Sequence, residues 1–158
     1  MQREEQAEGA DRLQEHATAL ADAIEVALPG WVGRCVNSRL PAGPLSPPVA
    51  AAAAEAGVQA RSDVGPRVRA LLDADIDDQR TTPLALLRSA VSYPTAVLVA
   101  ADVAPVLRDR TQERLFPTDI YDLNPATFAD VEPALADLGV AWGAAKAWVH
   151  RQRHQAAS

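Results

Sequence analysis

The chain has 158 residues, of which 48% are hydrophobic and 23% charged, and its formal net charge is −6. This length is typical of one domain, and this composition excludes an intrinsically disordered chain, which has too little apolar surface to build a core. The acidic balance argues against nucleic acid as the main partner, because proteins that bind nucleic acid neutralise its phosphates with basic groups.

A single cysteine, Cys35, cannot form an internal disulfide, and the first residues contain no apolar run of the kind found in signal peptides. The longest apolar stretch, residues 95–107, is shorter than the roughly 20 residues that cross a bilayer. Asp102 and Pro105 also interrupt it. We therefore expect a cytoplasmic protein without a membrane anchor.

Residues 1–40 are predicted to form two helices. Apolar residues recur at helical spacing from Leu13 to Leu28 and predict an amphipathic helix. Pro29 and Gly30 are expected to end it, because proline removes a backbone donor and clashes with the preceding turn. A second, short helix would then bury Trp31.

Residues 41–48 contain four prolines and a glycine, which predicts an exposed loop and the best candidate for an internal boundary. The remaining residues, 49–158, are predicted to form the helical body of the same domain. An alanine-rich helix is expected over 49–57, and a separate helix over 63–77.

Thr82 and Pro83 form a typical helix start, an N-cap followed by proline at the first helical position. This helix is expected to kink or split at Pro94. Residues 96–100 would also suit a short buried strand, but the sequence offers no partner strand, so a helix is favoured. Another helix is predicted over 105–115.

Residues 116–130 are rich in aromatic residues, aspartates and prolines, and they predict an ordered loop. A final helix is expected to begin with Asp130 as its cap and to run to about Arg153, with Trp142 in its apolar stripe. Together these elements predict an all-α fold, an irregular single domain of six to eight helices, several of them short and separated by prolines.

The 116–130 loop is the most promising place for a site. Asp119, Tyr121 and Asp122 offer two carboxylates and a phenol within four residues, and they are the candidate catalytic residues. The candidate binding residues are Arg88, Arg108, Phe116 and Phe128. A capped connector whose aromatic residues fill the core would show the same sequence, and this second interpretation is favoured.

A metal site finds little support. His150 and His154 lie one helical turn apart, a spacing at which two imidazoles can share a zinc ion. The sequence supplies no third ligand, and both histidines are expected on the solvated face of the final helix. We therefore predict no metal and no cofactor.

The two ends of the chain carry opposite charge. Residues 1–28 hold seven acidic residues and two arginines, whereas residues 139–158 hold three basic residues and no acidic one. Two terminal helices that lie near each other would explain this asymmetry, and so would two separately solvated ends.

Parts of the sequence resemble a group of uncharacterised actinobacterial helical proteins. The resemblance rests on Thr82-Pro-Leu-Ala-Leu-Leu-Arg, Tyr93-Pro-Thr, Phe116-Pro-Thr-Asp-Ile-Tyr-Asp-Leu and Ala141-Trp-Gly-Ala-Ala-Lys-Ala. It would cover most of the chain. It implies a bacterial cytoplasmic origin and carries over no functional residue.

Three functions are compatible with these features. The first is a non-enzymatic interaction or regulatory protein that binds another protein, because the chain lacks the nucleophile elbow, glycine-rich loops and His-Glu-x-x-His motif of common enzymes. The second is an enzyme or small-molecule binder with a site under the 116–130 loop. The third and weakest is nucleic-acid binding through the basic C-terminal helix, which contains Trp148, Arg151 and Arg153.

Overall fold

The computed structural model describes residues 2–41, 43–73, 82–106 and 120–157. The helices are α1 (Gln2–Ser38), α2 (Pro47–Asp73), α3 (Thr82–Ser89), α4 (Ser92–Ala100), α5 (Phe128–Val131) and α6 (Leu135–Ala157). These residues contain no strand, so the predicted all-α fold is confirmed. Within them, five helices are longer than a single turn, fewer than the six to eight predicted.

The lower number has a direct cause, since two predicted breaks do not occur. Helix α1 continues through Pro29, and α2 continues through Gly57 and Pro66. The apolar stripe of α1 keeps its phase across the proline, with Leu28 and Val32 fully buried on either side. Burial of that stripe therefore outweighs the roughly 3 kcal/mol that an internal proline costs a helix.

Helices α1 and α2 pack in antiparallel directions and approach closely where Pro29 meets Gly57. A Cβ atom at Gly57 would lie 2.9 Å from the Cα atom of Pro29 and 3.2 Å from its carbonyl oxygen. The missing side chain of Gly57 thus makes room for the proline-containing turn of α1. The two residues that the sequence predicts as separate helix breakers form one contact between continuous helices.

The same pair of helices is joined at its surface by Arg69. Its Nη2 atom lies 2.6 Å from Oδ1 of Asp22 and 3.1 Å from Oε2 of Glu25. The hydrogen bonds with Glu25 and then Asp22 raise the pKa of the arginine further above its ordinary value, so it stays charged. Surface ion pairs contribute little stability, so this one adds only slightly to the packing of α2 on α1.

Helix α6 lies along α1 in the opposite direction. Trp148 packs on Gly9 near the start of α1. Near the end of α1, Arg34 donates one hydrogen bond to the Val131 carbonyl and another, of 3.4 Å, to the Glu132 carboxylate. Helix α1 spans about 55 Å and contacts both α2 and α6. The terminal helices thus lie side by side. This is the first of the two arrangements that would explain the opposite charges of the two chain ends.

The α3–α4 region follows the prediction in part. A helix begins at Thr82 as expected, but the chain breaks at Ala90 and Val91, and Pro94 lies within the first turn of α4. Proline fits a first turn because the backbone donor it lacks has no partner there. The alternative strand over 96–100 does not form.

The start of the last helix was wrongly predicted. Asp130 does not cap it; its Oδ2 atom accepts hydrogen bonds from the backbone of Ala126 and Thr127 at 2.8 and 2.9 Å. This capping box begins the short helix α5, and α6 begins only at Leu135. The predicted helix over 105–115 lies almost wholly outside the described residues, and α2 begins inside the predicted 41–48 loop.

We expect Gly57→Ala to lower the free energy of unfolding by about 1 kcal/mol, because its Cβ atom would meet the backbone of Pro29, which cannot move aside cheaply. Gly33→Ala is the matched control. A Cβ atom at Gly33 meets nothing within 4 Å, so the change should raise the free energy of unfolding by up to about 1 kcal/mol through helix propensity. Equal stabilisation by both changes, measured by chemical denaturation, would contradict the packing described for Gly57.

The hydroxyl of Tyr93 donates a hydrogen bond to Oδ2 of Asp63 at 2.7 Å, and this bond, followed by burial, raises the pKa of the phenol. A raised pKa in the folded state stabilises the protein below the unfolded pKa of about 10, and this stability is lost as pH rises through the folded value. We expect the stability advantage of the parent protein over Tyr93→Phe to stay constant below about pH 9 and to shrink as pH rises above about 10. A constant difference would contradict the link between Tyr93 and Asp63.

Candidate functional site

Tyr121, a candidate catalytic residue, is 1% exposed and forms part of the core. Its hydroxyl donates a hydrogen bond to the backbone carbonyl of Val103 at 2.7 Å. Close by, the Val106 N–H donates to the Ile120 carbonyl at 2.9 Å. These bonds join the segment after α4 to the segment before α5. The phenol thus takes part in a structural contact of the kind that the connector interpretation requires.

Asp122 is exposed, and its backbone has a φ of 57°, in the left-handed region. Asp102, which ends the α4 turn, has a similar φ of 60°. Aspartate adopts this conformation more readily than most residues other than glycine. The local backbone is therefore sufficient to account for an aspartate at 122. The third candidate, Asp119, lies outside the described residues.

The binding candidates Arg88 and Phe128 both contact neighbouring elements. Nε of Arg88 donates to the Pro125 carbonyl at 3.0 Å, which links α3 to the loop. Phe128 packs on Gly139, where an added Cβ atom would lie 2.7 Å from the ring. Both contacts hold the loop in place. The other two candidates, Arg108 and Phe116, lie outside the described residues.

His150 is half-buried, whereas the sequence predicts a solvated face. The reason is that α1 begins at Gln2, well before the predicted start, so the end of α6 has a helix to pack on. The side chain of His154 is not among those that the structure describes. Among the described residues, no group of three or more His, Cys, Asp and Glu side chains is placed to hold a metal ion.

Helices α3 and α4 form an apolar groove that the sequence analysis did not identify. Val99, which contributes to it, is 56% exposed. The groove is lined by Arg88, Ser89, Val91, Ser92, Thr95, Ala96, Val99 and Ala100. The signal in the sequence was the run of apolar residues after Thr95, which the sequence analysis considered only as a helix or a short buried strand.

The segment Pro83–Ala100, which contains this groove, is long and apolar enough to cross a membrane by length and composition alone. Core helices meet the same criterion, and Pro94 and Leu98 of this segment are buried against the rest of the chain. Only 39% of the segment is buried, however. Among the described residues of this segment, the exposed apolar ones are Val99 and the small residues Ala85, Ala96 and Ala100.

A second groove lies between the first turns of α1 and the middle of α6, and it was also missed. Glu8, Arg12 and His16 form one wall, and alanines of α6 with Trp148 form the other. The spacing of four residues between the three polar side chains places them on one face of α1. The sequence could have shown that stripe, but not the helix opposite to it.

We expect Tyr121→Phe to lower the free energy of unfolding by about 1 to 2 kcal/mol, because the change leaves the Val103 carbonyl without its donor. Asp122→Asn is the control, since asparagine also tolerates a positive φ and should leave stability unchanged. Thermal denaturation measures both. Unchanged stability in Tyr121→Phe would argue against the connector and for a role of the phenol in binding.

Comparison of the chain with protein-family models, curated proteins and solved structures found no match. The resemblance to the actinobacterial group stays an expectation from the sequence. The function therefore has to be argued from the surfaces and contacts of the chain itself.

Proposed function

We propose that the protein is a non-enzymatic interaction protein of the bacterial cytoplasm and that its α3–α4 groove binds an apolar segment of another protein. The observation that carries the proposal is the exposure of this groove. The apolar segment Pro83–Ala100 is only 39% buried, and Val99 within it is 56% exposed. Contiguous exposed apolar surface is typical of protein interaction sites.

The shape of the groove suits a helix or an extended apolar chain. Ser89, Ser92, Ala96 and Ala100 have short side chains, so a partner backbone can approach α4 closely. Burial of apolar area in such a contact contributes roughly 25 cal/mol for each Å². A partner that covers Val99 would therefore bind more tightly, because the exposed apolar surface of Val99 would be removed from water.

The groove is also held firmly from behind. Val97 and Leu98 are buried in the core on the opposite side of α4. The Tyr93 hydroxyl is bonded to Asp63 of α2, and Arg88 is bonded to the carbonyl of Pro125. A preformed surface of this kind binds with less loss of conformational entropy than one that must first become ordered.

The enzyme alternative receives less support. General acid–base catalysis relies on carboxylates or other titratable groups that burial or neighbouring charges have perturbed. Among the described residues, the one charged side chain that is buried is Lys146, whose Nζ lies 5.4 Å from the centroid of the Trp142 ring. The Tyr121 phenol, the best candidate in the loop, is engaged by Val103.

Nucleic-acid binding also receives less support. Trp148, the aromatic residue that would stack on a base, packs on Gly9 of α1. The basic end of α6 lies beside α1, and α1 carries most of the acidic residues of the N-terminal region. Neighbouring acidic groups weaken the attraction of Arg151 and Arg153 for phosphates.

Photo-crosslinking tests the proposal. The photoreactive residue p-benzoylphenylalanine is introduced at Val99, and as a control at Val140 of α6, which is 73% exposed and lies outside the groove. In cells of the organism that encodes the protein, we expect a crosslinked product of one defined mass from position 99 and none from position 140. Val99→Lys should prevent capture of that same partner, while Val140→Lys should not.

Four outcomes would overturn the proposal. Identical products from positions 99 and 140, or no product from either, would show that the groove is not a docking site. A product of twice the chain mass would assign the groove to a second copy of this chain. Recovery of the protein in a membrane fraction that resists alkaline washing would assign Pro83–Ala100 to the lipid bilayer.

A further inference from the structure

The groove between the first turns of α1 and the middle of α6 differs from the α3–α4 groove in having one polar and one apolar wall. Its volume is about 360 Å³, within the range of roughly 300–1,000 Å³ typical of sites for small molecules. We propose that it binds a small organic anion with a flat apolar body. This inference does not rest on the docking proposal, because the two grooves share no residue.

The space exists because of the residues that α6 places opposite α1. Trp148 closes against Gly9, where any side chain would overlap the indole ring. Beside this tight contact, α6 presents alanines, among them Ala144, whose short side chains do not fill the gap between the helices. The contact between Trp148 and Gly9 thus closes one end of the groove, and the space beside Ala144 stays open.

The polar wall carries two basic groups. Arg12 and His16 follow Glu8 at intervals of four residues, so all three line the same face of α1. In the described part of the chain, neither Arg12 nor His16 forms a hydrogen bond or an ion pair. The planar guanidinium of Arg12 lines the groove and can form two parallel hydrogen bonds with a carboxylate.

The apolar wall determines the rest of the ligand. The Trp148 ring and the alanines of α6 line this side of the groove. The alanine side chains carry no hydrogen-bonding group. An aromatic body covers such a surface well and contacts the part of the Trp148 side chain that lines the groove. Glu8 would favour a cation instead, but the other two polar side chains of this wall, Arg12 and His16, both offer N–H donors, so the site is assigned to an anion.

Isothermal titration calorimetry of the full chain with 2-naphthoate tests this assignment. We expect 2-naphthoate to bind at least about tenfold more tightly than the uncharged 2-naphthamide, since only the carboxylate forms charge-assisted hydrogen bonds with Arg12. The cationic 2-naphthylmethylamine should bind more weakly than either. Val99→Lys should leave the affinity for 2-naphthoate unchanged, because it alters only the other groove.

Two variants locate the site. Arg12→Gln should weaken 2-naphthoate binding about tenfold or more, whereas Arg61→Gln, which removes an exposed arginine of α2, should have no effect. Ala144→Leu should abolish binding by filling the groove. Because Ala144 is exposed, the larger side chain should leave the helical circular dichroism signal unchanged.

The assignment is wrong if 2-naphthoate shows no binding at millimolar concentration. It is also wrong if Arg12→Gln and Arg61→Gln have equal effects, which would indicate binding elsewhere on the surface. Tighter binding of 2-naphthylmethylamine than of 2-naphthoate would reassign the groove to cations held by Glu8. Each result is obtained on the purified chain and is independent of the crosslinking at Val99.

Discussion

The contact between Pro29 and Gly57 is the constraint on which the packing of the two longest helices depends. Proline disturbs the backbone of α1 at a point where α2 has no side chain, and a Cβ atom at Gly57 would lie 2.9 Å from the proline Cα. The two irregular positions must therefore face each other. Once they do, the register of α2 is determined, and Arg69 falls opposite Asp22 and Glu25.

Helix α1 serves as the common support of the molecule. Helix α2 and helix α6 both run antiparallel to it, and α4 packs on α1 and α2. Small residues decide where these helices meet closely, as Gly9 does under Trp148. Where small residues have no large partner opposite them, the helices leave a groove, and this is the origin of the space beside Ala144. Tight packing and open surface thus arise from the same kind of residue.

The two grooves divide the functional proposals between them. The α3–α4 groove is apolar and exposes Val99, which suits a protein segment that buries a broad surface. The α1–α6 groove combines Arg12 with Trp148, which suits a small anion with an aromatic body. The 116–130 loop was the most promising place for a site in the sequence, which nevertheless favoured a connector. Its described part takes part in the bonds of Tyr121, Arg88 and Asp130 that hold the connector in place.

The sequence by itself determined the all-α class, the helix start at Thr82 and the burial of Trp142, because these follow from local propensity and from the spacing of apolar residues. Only the tertiary structure decided that α1 and α2 continue through Pro29 and Gly57. A proline or glycine weakens a helix locally, but burial along the whole stripe and a matching partner outweigh that cost. The grooves were decided in the same way, because a space between two helices depends on residues that lie far apart in the chain.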